Sequence, residues 1–245
     1  MLWIYWIIGL SISVIISSYV IKYNREIGYT FLVVLFAGFI LISNILVPRL
    51  IQFNLGEWAL SIVTGSLLWP FTAQLSDMIN EIYGKRKTII AFIFAYIINL
   101  LFVLFILMAK NTQPEWSNEM EAFWLTYFLP SGRILIASTI SFFICQIFDA
   151  YVFSYYKERY RIKEDNSKLS FILGMSSWRN MISDIINMFF DGFIFTIIAF
   201  LFVLPMDGII HIAISSIAIK GFMAVVDTPL FVLFKYITRN EKRQR

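Results

Sequence analysis

The sequence predicts an all-α integral membrane protein, a compact bundle of about seven transmembrane helices. Three observations lead there. Of the 245 residues, 59% are hydrophobic and only 15% charged, where a soluble domain is about half apolar and about a quarter charged. The apolar residues gather into runs long enough to cross a hydrocarbon core of about 30 Å, which takes about 20 helical residues. The basic residues gather between those runs, on alternate connections. No polar stretch is long enough to fold separately, so residues 1–245 are expected to form a single transmembrane domain.

The first run, 2–21, is too long for the apolar core of a cleavable signal, and it lacks a basic start and a small-residue cleavage site. It is read as a spanning helix that serves as scaffold. The second run is 28–47. The third, 59–80, contains Pro70, which removes a backbone donor and crowds the carbonyl four residues earlier; a kink is expected there. Gly84 ends this helix, and Lys85, Arg86 and Lys87 anchor it at the surface. The fourth run, 88–109, carries no charge and only Tyr96 and Asn99 as polar points inside it, so it is expected to be scaffold against lipid. The following loop, 110–132, holds Trp116, Trp124 and Tyr127 among glutamates. Such rings favour the headgroup level, and a short interfacial helix fits. Runs 133–155, 178–204 and 209–236 complete the set. The last two exceed the minimum length and are expected to tilt or to extend beyond the bilayer. Apolar residues around Gly174 point to an early start of the sixth helix, and Pro229 is expected to kink or break the seventh.

Lys22 and Arg25, Lys85 to Lys87, five cations from Lys157 to Lys168 and five from Lys235 to Arg245 fall on one side. The other side has only Arg49, Lys110 and Arg133. Basic loops stay cytoplasmic, so the C-terminus is expected inside the cell membrane and the N-terminus outside, with an odd number of spans. The net charge of +4 belongs to these loops, and no nucleic-acid partner is expected. One cysteine, Cys145, and one histidine, His211, leave no internal disulfide and no cysteine or histidine cluster for a metal. His211 stands alone near an interface, without the setting of a serine nucleophile's base. Neither an enzyme nor a cofactor is expected.

Five aspartates nevertheless lie inside the runs: Asp77, Asp149, Asp184, Asp191 and Asp227. A charged side chain at mid-membrane costs about 2.5–3.5 kcal/mol on insertion scales, so these must face a protein interior or a wet cavity. In the third run Pro70, Gln74, Asp77 and Glu81 share one face at helical spacing. Asp77 is a candidate for lining a pathway, while Glu81 is near enough to the end to reach the interface. In the sixth, Asn180, Asp184, Asn187 and Asp191 fall within about 40° of one another on a helix of 3.6 residues per turn. Such a stripe cannot face lipid; it either lines a cavity or forms a buried packing network. Its two carboxylates repel unless a ligand, cation or proton intervenes. Arg179 points about 120–140° away. The fifth run presents Ser138, Ser141, Cys145 and Asp149 on one face, with Gln146 beside it. In the seventh, Lys220 and Asp227 are two turns apart, too far to pair, so each is expected to meet another helix. A lysine at this depth needs a carboxylate partner or a polar ligand.

Taken together and in this order, the motifs resemble the queuosine precursor transporters, the VUT family. The resemblance rests on Asn44, on Pro70 followed by Asp77, and on Glu81-Ile-Tyr-Gly84 with its basic run. It continues through Arg133 with Ala137-Ser138, Gln146-Ile-Phe-Asp149, Val152-Phe153, Ser183-Asp184 and Asp191-Gly-Phe-Ile-Phe195 with Ala199-Phe200, then Lys220 and Pro229. It covers residues 40–235. Where the family pattern has a small or hydroxylic residue ahead of the aspartate stripe, this chain has Trp178-Arg179-Asn180. The resemblance implies a six-helix core over 28–236, similar to the substrate-binding S-components of energy-coupling-factor transporters, with 2–21 as an added N-terminal helix. It also implies uptake of 7-deazaguanine bases for tRNA modification: 7-cyano-7-deazaguanine, its aminomethyl relative or queuine.

The chemistry of such a base fits the residues. Its ring N–H and exocyclic amine donate together to one carboxylate, and its carbonyl accepts from an amide, lysine or arginine. Trp69, Phe71 or Trp178 would cover the flat ring. The expected binding set is therefore Asp184 and Asp191, or Asp77, on the donor edge, with Asn180, Asn187, Gln74, Lys220 and Asn44 nearby. Spacing does not say which carboxylate takes the base. Glu81, Asp149, Gln146, Arg179 and Asp227 are candidates for coupling or gating. With Arg133 and Lys235 counted at the ends of their runs, Arg179 and Lys220 are the two cations further inside; acids exceed bases there, which suits proton or cation coupling. Two other classes compete. An S-component-like binding subunit would need a partner membrane protein and ATPases, and no clear small-residue docking motif marks the first two helices. A carboxylate-based lipid transferase would want an ordered aspartate-glycine-arginine signature, which is not found. The expected partners are a small purine-like base and the lipid bilayer, with a second copy of the chain left open.

Overall fold

The computed structural model describes residues 2–46, 49–55, 58–128, 132–165, 169–202 and 205–239, with only the backbone path described at several of them, among these 53–55, 58–61, 132–136, 161–165, 169–177 and 179–180. In chain order these form α1 (Leu2–Tyr23), α2 (Arg25–Leu46), β1 (Leu50–Leu55), β2 (Trp58–Val63), a 3-10 turn (Thr64–Leu68), α3 (Trp69–Tyr83), α4 (Lys85–Lys110), α5 (Asn118–Phe128), α6 (Gly132–Asp165), α7 (Leu169–Phe200) and α8 (Met206–Arg239). Six helices are long and apolar enough to cross a membrane: α1, α2, α4, α6, α7 and α8. The chain is a multi-pass membrane protein of helical architecture.

The six long helices close a ring. Neighbours pack as α1 on α2, α2 on α4, α4 on α6, α6 on α7, α7 on α8, and α8 back on α1. The short helix α3 stands inside, touching α1, α2, α4, α6 and α8, and its Trp69 and Ala73 pack with Met188 of α7 and Ala224 of α8. Every residue from Trp69 to Asn80 is buried. One side of α3 is apolar: Leu75, Met78 and Ile79 join Phe36 of α2 and Phe92 of α4 in the largest core cluster. The side toward α6, α7 and α8 is polar, with Ser76, Asp77 and Asn80. A helix walled in by protein needs no lipid-compatible surface, so it tolerates side chains that a ring helix must turn inward.

The third expected run is therefore not one helix. Its first part is β2, paired antiparallel with β1 from Leu50 opposite Val63 to Leu55 opposite Trp58, and then the 3-10 turn. Pro70 does not kink α3; it lies in the first turn of that helix, where its missing N–H would have had no intrahelical partner. The 15 residues of α3 span about 22 Å, and the 3-10 turn adds about 10 Å. Together they still carry the chain from one end of the bundle to the other, so the basic connections all lie at the same end. Two side chains satisfy carbonyls in the 3-10 turn: Trp6 Nε1 donates to Leu67 O at 2.8 Å and Ser43 Oγ to Gly65 O at 2.9 Å. At the far end Gly84, at φ 80°, turns the chain from α3 into α4 in a conformation that favours glycine.

Other expectations meet the structure directly. The short helix α5 occupies the tryptophan-rich loop. Helix α7 begins at Leu169, ahead of Gly174. The expected break at Pro229 is corrected: α8 runs through it to Arg239 unbroken, and Thr228 Oγ1 donates to Ala224 O at 2.7 Å one turn back.

Candidate functional site

At the hairpin end, the start of α3 meets α2, α4, α6, α7 and α8 around a partly enclosed chamber. Asn44, Trp69, Thr72, Asn99, Asp191 and Lys220 give it polar and indole groups, and Tyr96, Phe142 and Phe195 add aromatic walls. Its centre is an ion pair between the Lys220 ammonium on α8 and Asp191 Oδ2 on α7. Ser141 Oγ on α6 donates to Asp191 Oδ1 at 2.8 Å. The ammonium also lies 5.8 Å from the centroid of the Trp69 ring, within cation–π range. Lys220 is 4% and Asp191 8% exposed, so each depends on the other for its charge, as a deep lysine requires. The opposite wall is an amide relay. Asn44 Nδ2 on α2 donates to Asn99 Oδ1 on α4, and Asn99 Nδ2 donates to Thr139 Oγ1 on α6 at 3.3 Å.

A second polar layer lies deeper. Asp77, Asp149, Asp184 and Asp227, on α3, α6, α7 and α8, are each at most 1% exposed. Ser183 Oγ donates to Asp149 Oδ1 at 2.7 Å, and Asp184 is close enough to Asp149 and Asp227 to interact with both electrostatically. The amide groups of Gln74 and Asn187 and both oxygens of Asp227 make no hydrogen bond among the described residues. Asp184 and Asp191 are seven residues apart on α7, as are Lys220 and Asp227 on α8, so the layers are about 10 Å apart.

The far end is tied shut. Glu81 pairs with Lys235 of α8 at 3.1 Å. Lys157 of α6 donates to the carbonyls of Asn80 and Glu81, both at 2.7 Å, which also suits the negative end of the α3 dipole. Asn80 Nδ2 donates to Ala150 O at 3.0 Å, and Asn80 Oδ1 accepts from Ser154 Oγ at 2.9 Å.

The candidates read from the sequence thus divide. Asn44, Trp69, Asp191 and Lys220 meet in the chamber. Asp184, Asn187, Asp77 and Gln74 sit buried below it with Asp149, Gln146 and Asp227, while Glu81 belongs to the far-end closure. Phe71 turns the other way, packing edge-on against Trp6 at 6.0 Å and Phe39 at 5.0 Å. Trp178 and His211 are exposed. The side chains of Arg179 and Asn180 lie outside the described residues. The reading of 88–109 as lipid-facing scaffold is corrected at Asn99 and Tyr96, both of which line the chamber. The available signal was Asn99 itself, an amide deep in an apolar run. The sequence puts Ser141 on one helical face with Ser138, Cys145 and Asp149, but nothing in the spacing ties it to Asp191. Among the described residues no three histidine, cysteine or acidic side chains converge to hold a metal ion.

The family described as "Putative vitamin uptake transporter" matches residues 63–234, from the last residue of β2 into α8. A "Probable queuosine precursor transporter" of Bacillus subtilis (strain 168) is 25% identical over 188 residues, covering 76% of this chain and 77% of that one. No solved structure matches the chain.

Proposed function

The chain belongs to the vitamin uptake transporter family, and from that premise we propose that it imports a 7-deazaguanine base for tRNA modification. The observation that carries this reading is the Asp191–Lys220 pair set against Trp69 in a chamber walled by aromatic rings. A guanine-like edge presents two donors side by side and a carbonyl next to them. Asp191 accepts the donors, and Lys220 donates to the carbonyl. Trp69, with Tyr96, Phe142 or Phe195, covers the flat faces. In the chamber the two charges satisfy each other, and a base with both kinds of group takes over both partners. Adenine has an acceptor nitrogen where the guanine-like edge has its ring N–H, so it offers Asp191 one donor in place of two and turns a lone pair toward the carboxylate.

In this reading the hairpin end faces outward and the end with the basic connections faces the cytoplasm of a plasma-membrane protein. The chamber then opens to the outside while Lys157, Lys235 and Glu81 hold the inner end closed. Concentrative import needs an energy source, and the excess of buried acids supports proton coupling. Uptake of radiolabelled 7-cyano-7-deazaguanine into proteoliposomes tests the function. Wild type is expected to accumulate it, with unlabelled guanine competing and adenine not, and Lys220→Met is expected to take up none. A wild type that moves no deazapurine would refute the reading.

A further inference from the structure

We propose that Asn44 restricts the chamber to free bases: its amide oxygen accepts the N–H of the five-membered ring, the position that carries the sugar in a nucleoside, and Asn99 holds that oxygen in place. The inference rests on the import reading above and deepens it, because it gives the wall facing Asp191 and Lys220 a part in recognition.

Asn44 lies in the last turn of α2. Beside it Ser43 ties this end of the helix to the 3-10 turn through Gly65 O at 2.9 Å. Asn44 is half-buried and lines the chamber together with Asn99, which is 4% exposed. The amide relay has a direction. Asn99 gives its Nδ2 to Thr139 Oγ1 at 3.3 Å, so its Oδ1 is left to take Nδ2 of Asn44. Asn44 is thus pinned by its nitrogen. Its oxygen, which has no hydrogen bond among the described residues, is the end left for a ligand, and it can only accept.

Charge divides the chamber in two. Among its described lining residues only Asp191 and Lys220 are charged, and the wall of Asn44, Asn99 and Thr139 is neutral. A 7-deazaguanine is divided in the same way. Its amide edge, with two donors and a carbonyl, suits the ion pair, and across the fused rings stands one neutral N–H. Carbon replaces nitrogen at position 7, so this proton has no second nitrogen in its ring to move to. It needs an acceptor once it leaves water, and Asn44 Oδ1 is a neutral one on the facing wall.

Helix α6 sets the scale. Thr139 takes its bond from Asn99, and Ser141 gives one to Asp191. These two hydroxyls are about 200° apart around the helix, so they point to opposite sides and hold groups on the order of 10 Å apart. Two fused rings with a hydrogen bond of about 2.9 Å at each end fill such a gap. A nucleoside loses the donor and drives a ribose against α2 and α4.

The test is titration calorimetry on purified full-length protein in detergent. The ligands are 7-cyano-7-deazaguanine, its 9-methyl derivative, which removes the donor with little added bulk, and its riboside. Wild type is expected to bind the free base at least about tenfold more tightly than the 9-methyl compound, and the riboside not at all. Asn44→Leu is expected to weaken the free base about tenfold and to leave the 9-methyl compound nearly unchanged, so that discrimination collapses. Asn99→Leu frees the Asn44 amide to turn and is expected to shrink the same ratio; it carries the comparison should Asn44→Leu not fold. Wild type that binds the 9-methyl compound or the riboside as tightly as the free base overturns the proposal and leaves the import reading intact. A ratio unchanged in the folded variants, with both ligands weakened alike, does the same, because it marks a purely structural role. Wild type that binds none of the three removes the import reading, and this one with it.

Discussion

Removing the Lys220 ammonium leaves the Asp191 carboxylate buried with Ser141 as its remaining side-chain donor among the described residues. Breaking one side of a buried pair typically costs about 3–5 kcal/mol, far more than the pair is worth as a unit. Lys220→Met should therefore lower the melting temperature in detergent markedly. Lys220→Met with Asp191→Asn should recover most of that loss without restoring base binding, and a double-mutant cycle by thermal unfolding measures the coupling. Across the chamber, Asn99→Leu removes the acceptor of Asn44 and the donor to Thr139. Its cost should be about 1–3 kcal/mol, because Asn44 is left part-buried without a partner. At this scale the sequence was half legible. That Lys220 needs an acid follows from depth alone, but the acid's identity does not, because spacing within each helix does not say which of Asp77, Asp184 and Asp191 it meets. The α7–α8 register decides it, and no one-dimensional spacing records that register.

At the scale of the element, α7 and α8 meet closely beside the ion pair. A Cβ on Gly192 would stand 2.8 Å from Ile217 Cγ1, a stiff β-branched side chain with little room to yield. Gly192→Val should push the helices apart, displace the neighbouring Asp191 and weaken base affinity. Adding Ile217→Ala should restore much of it, as read by binding titration. Pro70 tests the corrected reading of α3. A proline in a first turn forgoes no intrahelical bond, so Pro70→Ala should change stability by less than about 1 kcal/mol. A kinked mid-helix proline would behave differently. Hydropathy could not reveal this break, because Trp58 to Leu68 is apolar enough to extend the run, and a short apolar stretch reads alike as buried strand or helix. The long runs of α4 and α8 were legible because lipid imposes its own length and composition on any helix that faces it.

At the scale of the whole molecule, six lipid-facing helices ring a seventh pass that is short, polar on one side and fully enclosed. That arrangement explains how one chain holds so many buried acids: they lie at the seams where α3 meets α6, α7 and α8, while the ring's outer surface remains apolar. It also stacks three polar groups along the bundle, with a chamber at the hairpin end, an acidic layer below it and the contacts of Glu81, Lys157 and Lys235 at the far end. The long passes were legible from hydropathy; the ring order and the central place of α3 were not, since nothing in a hydropathy pattern states which helix has no lipid to face.

The central claim is that the base sits at Asp191 and Lys220 rather than at the acids beneath. Binding of 7-cyano-7-deazaguanine, followed by thermal shift on purified protein with guanine and adenine as controls, tests it most directly when wild type is compared with Asp191→Asn and Asp184→Asn. The account predicts selective stabilisation of wild type and of Asp184→Asn, and none of Asp191→Asn. Stabilisation that survives in Asp191→Asn and disappears in Asp184→Asn would contradict it, and would move the base into the deeper layer.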